Sequence, residues 1–320
     1  MRRLGLRVAV LAAFAVLAPA LFLQARDPRP AEDKDSLFQG RCPQGEAFRY
    51  DLERRVYRDG SLYYRATAVS SHTVLSCAPL DEAVRFEDFV LMAGRQPVDL
   101  SLAAASLPSF DISLDSGPDD SGAGDAALPS PETLDQTLRG IVNDLRTVLT
   151  AVCPHAVAGR LNRMGDVYVG PAGRKRSETG ARWRETCTQV RMELTSLTPT
   201  QAGLKVAFLP PESECLAFQK PWMGTPLESA GPPNNYQQVA KAGGLYRASW
   251  GQERVVVSAV LDRKTGTVVS AEMEDTRVLK ERTRCDGALE HCSPETPVLN
   301  QRSFSLRLRE TLPGPRESAP

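Results

Sequence analysis

The chain has 320 residues, 39 of them basic and 39 acidic, so its formal charge is zero. That balance excludes the basic footprint of a nucleic-acid binder, and an aromatic content of 6% leaves little material for a sugar-stacking platform. Three histidines, His72, His155 and His291, are the whole supply of imidazole for general-base or metal chemistry.

Arg2, Arg3 and Arg7 precede an uncharged apolar run from Val8 to Leu23, and small residues then offer cleavage after Ala20 or Ala25. This layout is that of a secretory signal peptide over residues 1–25. An uncleaved anchor is the alternative, because the run approaches the ~20 residues that span a bilayer. Either reading places the remainder outside the cytoplasm, periplasmic or extracellular, since the basic flank stays inside. Loss of the leader leaves 36 basic against 39 acidic residues, a net −3. Seven cysteines remain, Cys42, Cys77, Cys153, Cys187, Cys215, Cys285 and Cys292. In an oxidising compartment they are expected as disulfides, with one left over because the count is odd.

Residues 26–45, with Pro28 and Pro30, read as a flexible lead-in. In FRYDLERRVY, Phe48, Tyr50, Leu52 and Val56 share one face at period two, interrupted by Arg54, and a strand is expected. Asp59-Gly60 is a turn signal. LYYRATAV, VRFEDFVLM and PVDLSLA continue as extended segments. Residues 112–130 are rich in Asp, Ser and Gly and read as a solvated linker. Asp115, Asp119, Asp120 and Asp125 within it do not follow the alternation of a calcium-binding EF-hand loop.

A helix is expected over 131–153. Ser130 caps it, Pro131 takes the first helical position and Glu132 suits the dipole. Leu134, Leu138, Ile141, Leu145, Val148, Leu149 and Val152 recur at spacings of three and four, and Pro154 marks the stop. Asp135, Gln136, Arg139, Asp144 and Arg146 fall off that stripe. Arg174-Lys175-Arg176 reads as a solvated basic turn.

Val190, Met192 and Leu194 then alternate with polar residues, and after TPTQAG so do Leu204, Val206 and Phe208. A hairpin centred on Gln201 sets Leu194 opposite Phe208 and Cys187 opposite Cys215, which predicts a Cys187–Cys215 disulfide; Pro210 and Pro211 interrupt the second strand on the way. In ERVVVSAVLDRKTGTVVSAEMED, Asp262 to Gly266 has the chemistry of a type I turn with a bulge, and Val255, Val257, Ala259 and Leu261 are expected to face Val269, Ala271 and Met273. SFSLRLRE closes the pattern, and 311–320 read as a disordered tail.

The order is strands, linker, helix, strands. It implies a mainly β (α+β) fold: a curved, mostly antiparallel sheet with one main amphipathic helix packed against it, as a single domain over 46–310. In layout alone this resembles the half-barrels that carry lipids or lipoproteins across the periplasm.

Chemistry is sparse. There is no Gly-x-Ser-x-Gly elbow. His72 reads as a partly exposed strand histidine, and Cys153 with His155 sits at a helix exit, where the dipole raises a thiol's pKa. Glu272 and Glu274 share a strand face at a glycosidase-like spacing that any solvent-facing strand also provides. The octapeptide CDGALEHC reads as a Cys285–Cys292 disulfide closing an Asp286-Gly287 turn. A zinc site of Cys153, His155, Cys285 and Cys292 is the alternative, against which six residues intervene between the last two cysteines. No catalytic residue and no cofactor is assigned.

The functional expectation is an exported, non-enzymatic envelope protein that binds an apolar ligand, a lipid or acyl chain, between sheet and helix. The alternatives are a structural, assembly or protein-interaction module of the envelope, and a hydrolase whose residues are too scattered to recognise.

Overall fold

The alternation that marks each strand in the sequence also decides which side chains enter the core, and the computed structural model shows one large sheet built on it. The structure describes residues 37–38, 44–77, 80–98, 110–113, 132–153, 160–179, 182–213, 215–216, 234–242 and 244–312, all within one compact unit, Lys34–Pro320. The leader, most of the lead-in, Ser130 and Pro131, the four linker aspartates, His155 and residues 313–320 lie outside the described residues.

The elements are β1 (Ala47–Arg58), β2 (Ser61–Cys77), β3 (Leu80–Ala93), β4 (Gln96–Pro97), β5 (Phe110–Ser113), α1 (Glu132–Val152), β6 (Val167–Thr179), β7 (Arg182–Leu197), β8 (Gln201–Leu209), β9 (Tyr236–Ala242), β10 (Leu245–Asp262), β11 (Val268–Cys285) and β12 (Thr296–Leu312). The fold is mainly β, an antiparallel sheet with a helix packed against it, as the sequence order implied. The strand order is β4-β3-β2-β1-β12-β11-β10-β8-β7-β6, with β5 on β3. β9 and β8 lie end to end between β7 and β10: β9 pairs with Arg182–Thr186 and Leu245–Gly251, β8 with the later halves of the same two strands. β12 pairs with both β1 and β11, so the two ends of the described chain meet in mid-sheet.

Local turn chemistry sets the hairpins. Asp59 and Gly60 both take positive φ, 49° and 78°, which makes the two-residue primed turn whose twist matches its strands. At the other end of the sheet, Asp262 Oδ1 accepts the Thr265 backbone N–H at 2.8 Å, and Gly266, at φ 75°, donates to the Asp262 carbonyl. A bulge between Val260 and Leu261 then places Leu261 opposite Val268, so Val268 rather than the expected Val269 is the buried partner.

Two further expectations change. The β7–β8 pairing is four residues from that expected: Leu194 lies opposite Leu204 rather than Phe208, and Val190 lies opposite Phe208, because the turn closes from Thr198 to Gln201 and a bulge follows at Thr195. Arg174, Lys175 and Arg176 are not a turn but part of β6, paired across to Cys187, Thr186 and Glu185. β5 also takes residues 112 and 113 from the expected linker, and β12 runs on to Leu312.

α1 packs on β8, β10 and β11. Leu138, Ile141, Leu145 and Val148 are at most 1% exposed and meet a sheet face carrying Leu194, Leu204, Leu261, Met273, Phe304 and Leu306, equally enclosed. Part of the helix's polar side is enclosed as well, although Asn143 is exposed. Asp144 and Arg146, expected off the apolar stripe, are 1% and 8% exposed. For Asp144 the reason lies on β1, where Arg54 reaches it at 2.5 Å and lays its guanidinium over Gly140. A Cβ at Gly140 would stand 2.7 Å from both terminal nitrogens of Arg54. Mid-helix glycine normally costs about 1 kcal/mol relative to alanine; here it makes room for a charge.

Gly140→Ala is therefore expected to lower stability despite its better helix propensity, measured as a reduced urea midpoint. In an Arg54→Met background the same change is expected to raise it by up to about 1 kcal/mol.

Candidate functional site

On four neighbouring strands the core-facing positions run apolar and then switch to charge. Phe48, Tyr50 and Leu52 lead to Arg54 on β1; Phe304 leads back to Arg302 on β12; Met273 leads to Asp275 on β11; and Val257 leads back, past Val255, to Glu253 on β10. Because the strands are in register, these residues form a belt. Arg302 bridges Asp144 of α1, at 3.0 Å, to Asp275, at 2.6 Å. Arg277 joins Asp275, at 3.0 Å, to Glu253, at 2.7 Å. Arg184 of β7 then meets both Glu253 oxygens at 2.9 Å. Tyr236, 2% exposed, lies under the guanidinium groups of both Arg184 and Arg277, 5.3 and 5.1 Å from its ring centre.

Four arginines thus alternate with three carboxylates from β1 to β7. The belt separates the main core from a small second one, in which Ala248 and Trp250 pack with Trp183, Val239 and Leu289. Burial by itself would raise the Glu253 carboxyl, but Arg184, Arg277 and Arg302 together bring it down to about 2. For Arg54 burial prevails: it pulls the guanidinium below its ordinary value against the attraction of Asp144.

His72 departs from its expected partly exposed setting. It is 1% exposed, edge-on to Tyr50, with Nδ1 2.9 Å from Glu82 Oε2 and Nε2 3.1 Å from Ser70 Oγ. Serine, imidazole and carboxylate in this order have the connectivity of a nucleophile, base and orienting acid. Ser70, however, is fully buried in β2, which is paired on both sides, so ladder hydrogen bonds occupy the backbone groups that would have to stabilise an oxyanion. The three side chains satisfy one another inside the core.

Two cysteine pairs stand at disulfide distance, Cys187 with Cys215 and Cys285 with Cys292, with Cα separations of 6.1 and 4.0 Å. The first joins the two residues expected, but not across a hairpin: β8 ends at Leu209, and the chain bends through Pro210 and Pro211 to return Cys215 to Cys187. In the octapeptide the expected turn is present, with Gly287 and Ala288 at its centre and the Leu289 N–H donating to the Asp286 carbonyl at 3.1 Å, while the positive φ, 61°, falls on Leu289. Asp286 accepts from the Glu290 backbone N–H at 3.0 Å, and its Oδ2 lies 2.7 Å from His291 Nδ1. Hydrogen bonding to Asp286 and its charge raise the His291 imidazole, and the same bond lowers Asp286.

The zinc alternative would need Cys285 and Cys292 as separate thiolates, whereas here they face one another; Cys153 is buried just past α1. Cys42 and the side chain of Cys77 lie outside the described residues. Glu272 and Glu274 both lie on the exposed face of β11, away from α1, and Glu272 lines an open cavity there.

No family model and no curated protein matches the chain. Among solved structures it is similar to lipovitellin, from work on lipid–protein interactions in that protein, with a TM-score of 0.44 and 11% identity. The match covers 88% of this chain, which spans 27% of the lipovitellin chain. Among the described residues no helix is long and apolar enough to cross a membrane.

Glu253→Gln leaves Arg184 and Arg277 facing a neutral group, and a loss of roughly 3–5 kcal/mol is expected in urea unfolding at neutral pH. The Glu253 pKa is depressed on folding, so its contribution is complete above the unfolded value near ~4.3 and is lost as pH falls toward about 2. The wild-type urea midpoint should accordingly fall more steeply than that of Glu253→Gln across this window.

The His291 imidazole should titrate by NMR above the ordinary ~6.5. Asp286→Asn should return it to that value.

Proposed function

We propose that the protein is an exported, non-enzymatic binding protein of the cell envelope that holds an apolar ligand, a lipid or an acyl chain, between its sheet and α1. The observation that carries this reading is the apolar layer itself. It runs across β1, β2, β3, β7, β8, β10, β11 and β12, and among the described residues a single helix packs against it. In this state the protein's own side chains occupy the layer beneath α1, so the ligand enters as the helix yields.

The seat of α1 suits such a movement. Beyond its apolar contacts the helix is held by the ion pairs of Asp144 with Arg54 and Arg302, and buried ion pairs specify a geometry more than they stabilise it. Export is supported by the leader pattern and by the two cysteine pairs at disulfide distance. A binding role, rather than catalysis, is supported by the enclosure of the Ser70–His72–Glu82 cluster away from solvent.

Fluorescence titration of the purified full chain with a pyrene-labelled long-chain fatty acid is expected to show saturable binding. Asp144→Asn, which weakens the hold on α1, should take up the probe several-fold faster. Absence of saturable binding in both proteins, with the wild type folded by circular dichroism and native mass spectrometry finding no bound lipid, would remove this reading.

A further inference from the structure

On the face of the sheet turned away from α1, the same strands form an open trough of about 810 Å3. Two rows of cross-strand neighbours make its floor. One runs Val69, Asp51, Arg307, Ser270, Val260, Gly203, Ser196, and the other Thr67, Glu53, Ser305, Glu272, Ser258, Lys205. The first row crosses seven strands, from β2 to β7, and the second six, from β2 to β8. Strands at this spacing would not share one cavity on a flat sheet, so the floor is curved.

We propose that this trough is a second binding site, separate from the apolar layer, and that it takes a short extended peptide carrying acidic groups at its ends and a basic group between them. Three observations support this. First, the centre of the floor is built from the serines Ser258, Ser270 and Ser305, which let a chain approach the strands and offer hydroxyls to its peptide groups, while Gly203 beside them is covered by side chains of β7. Gly203 is required: a Cβ there would collide with the hydroxyls of Ser196 and Thr195, which the bulge in β7 turns over it.

Second, Arg307, Glu272 and Lys205 are exposed, and none of their side chains takes part in an ion pair or hydrogen bond within the described structure. The neighbouring Glu53, by contrast, is committed to Arg55 and Arg65. Arg307 and Lys205 stand on β12 and β8, three strand steps and two residues apart, or about 16 Å. Glu272 lies between them, one step from Arg307. An extended chain of four or five residues, at about 3.3 Å each, spans that distance.

Third, the described lining has no aromatic side chain on which a sugar ring would stack. Its named charges, four carboxylates (Asp51, Glu53, Asp88, Glu272) against three cations (Arg65, Lys205, Arg307), are wrong for a polyanion. The volume falls within the ~300–1,000 Å3 of ordinary ligand sites.

The test is fluorescence anisotropy on the full chain with two labelled, end-blocked pentapeptides: Asp-Lys-Ser-Gly-Asp, and its charge-reversed counterpart Lys-Glu-Ser-Gly-Lys. The wild type is expected to prefer the first. Exposed ion pairs each contribute roughly two- to fivefold, so the three together should give a preference on the order of tenfold to 100-fold, weakening as salt is added. The triple variant Lys205→Glu, Glu272→Lys, Arg307→Glu changes only exposed side chains and should stay folded by circular dichroism. It should invert the preference. Equal affinity of the wild type for both peptides, no binding of either, or a preference unchanged in the triple variant would overturn the proposal. So would a chitin tetrasaccharide that binds both proteins alike and displaces the peptide.

Discussion

The placement of α1 depends on one carboxylate. Asp144, enclosed on the helix, has no water to share its charge with, so it must be met by cations from the sheet; Arg54 and Arg302 arrive from adjacent strands. This requirement sets the rotation of the helix and explains the glycine one turn before Asp144. It also explains why a cation interrupts the apolar face of β1. Arg302 in turn needs Asp275, and the demand for compensation passes along Arg277 and Glu253 to Arg184. A buried charge is costly alone and tolerable in a chain of partners. Apolar contacts supply the drive to close the layer, while the belt selects one way of closing it.

The sheet has two faces because residues alternate along each strand. On β11, Ala271, Met273 and Asp275 turn inward, while Ser270, Glu272 and Glu274 turn outward. The same strands therefore support an apolar layer on one side and a polar trough on the other. The two proposed sites are independent in chemistry but share a backbone. A bulge that adjusts one face also adjusts the other: the bulge at Thr195 fixes the pairing of Leu194 on the core side and turns two hydroxyls over Gly203 on the trough side.

Much of the fold was legible because its signals are local. Asp59-Gly60 and Asp262 to Gly266 announce their turns, and period-two alternation announces the strands between them. Registers were less legible. Leu194 pairs with Leu204 rather than Phe208 because a single residue of bulge and a slightly earlier turn shift the ladder, and neither changes the alternation that the sequence displays. His72 was misplaced for a related reason. Alternation says that Ser70 and His72 share a face, but not that Glu82 stands across from them to make burial of the imidazole tolerable. The belt left a visible trace, since Arg54, Glu253, Asp275 and Arg302 all sit at core-face parity. Of these the pattern marks only Arg54 as an interruption, and its partner Asp144 comes from α1, far along the chain.

The sequence by itself determined the mainly β character, the place of the helix in the order of elements, the turns, and the scarcity of histidine. These follow from periodicity and composition, which act over a few residues. Only the tertiary structure decided which buried charge meets which, that Asp144 and Arg146 are enclosed, and that Arg307, Glu272 and Lys205 stand on one face of neighbouring strands, on a diagonal across them. Residues far apart in the chain make those arrangements, and their energies depend on distance in space and on the exclusion of water. Neither quantity exists until the strands have paired.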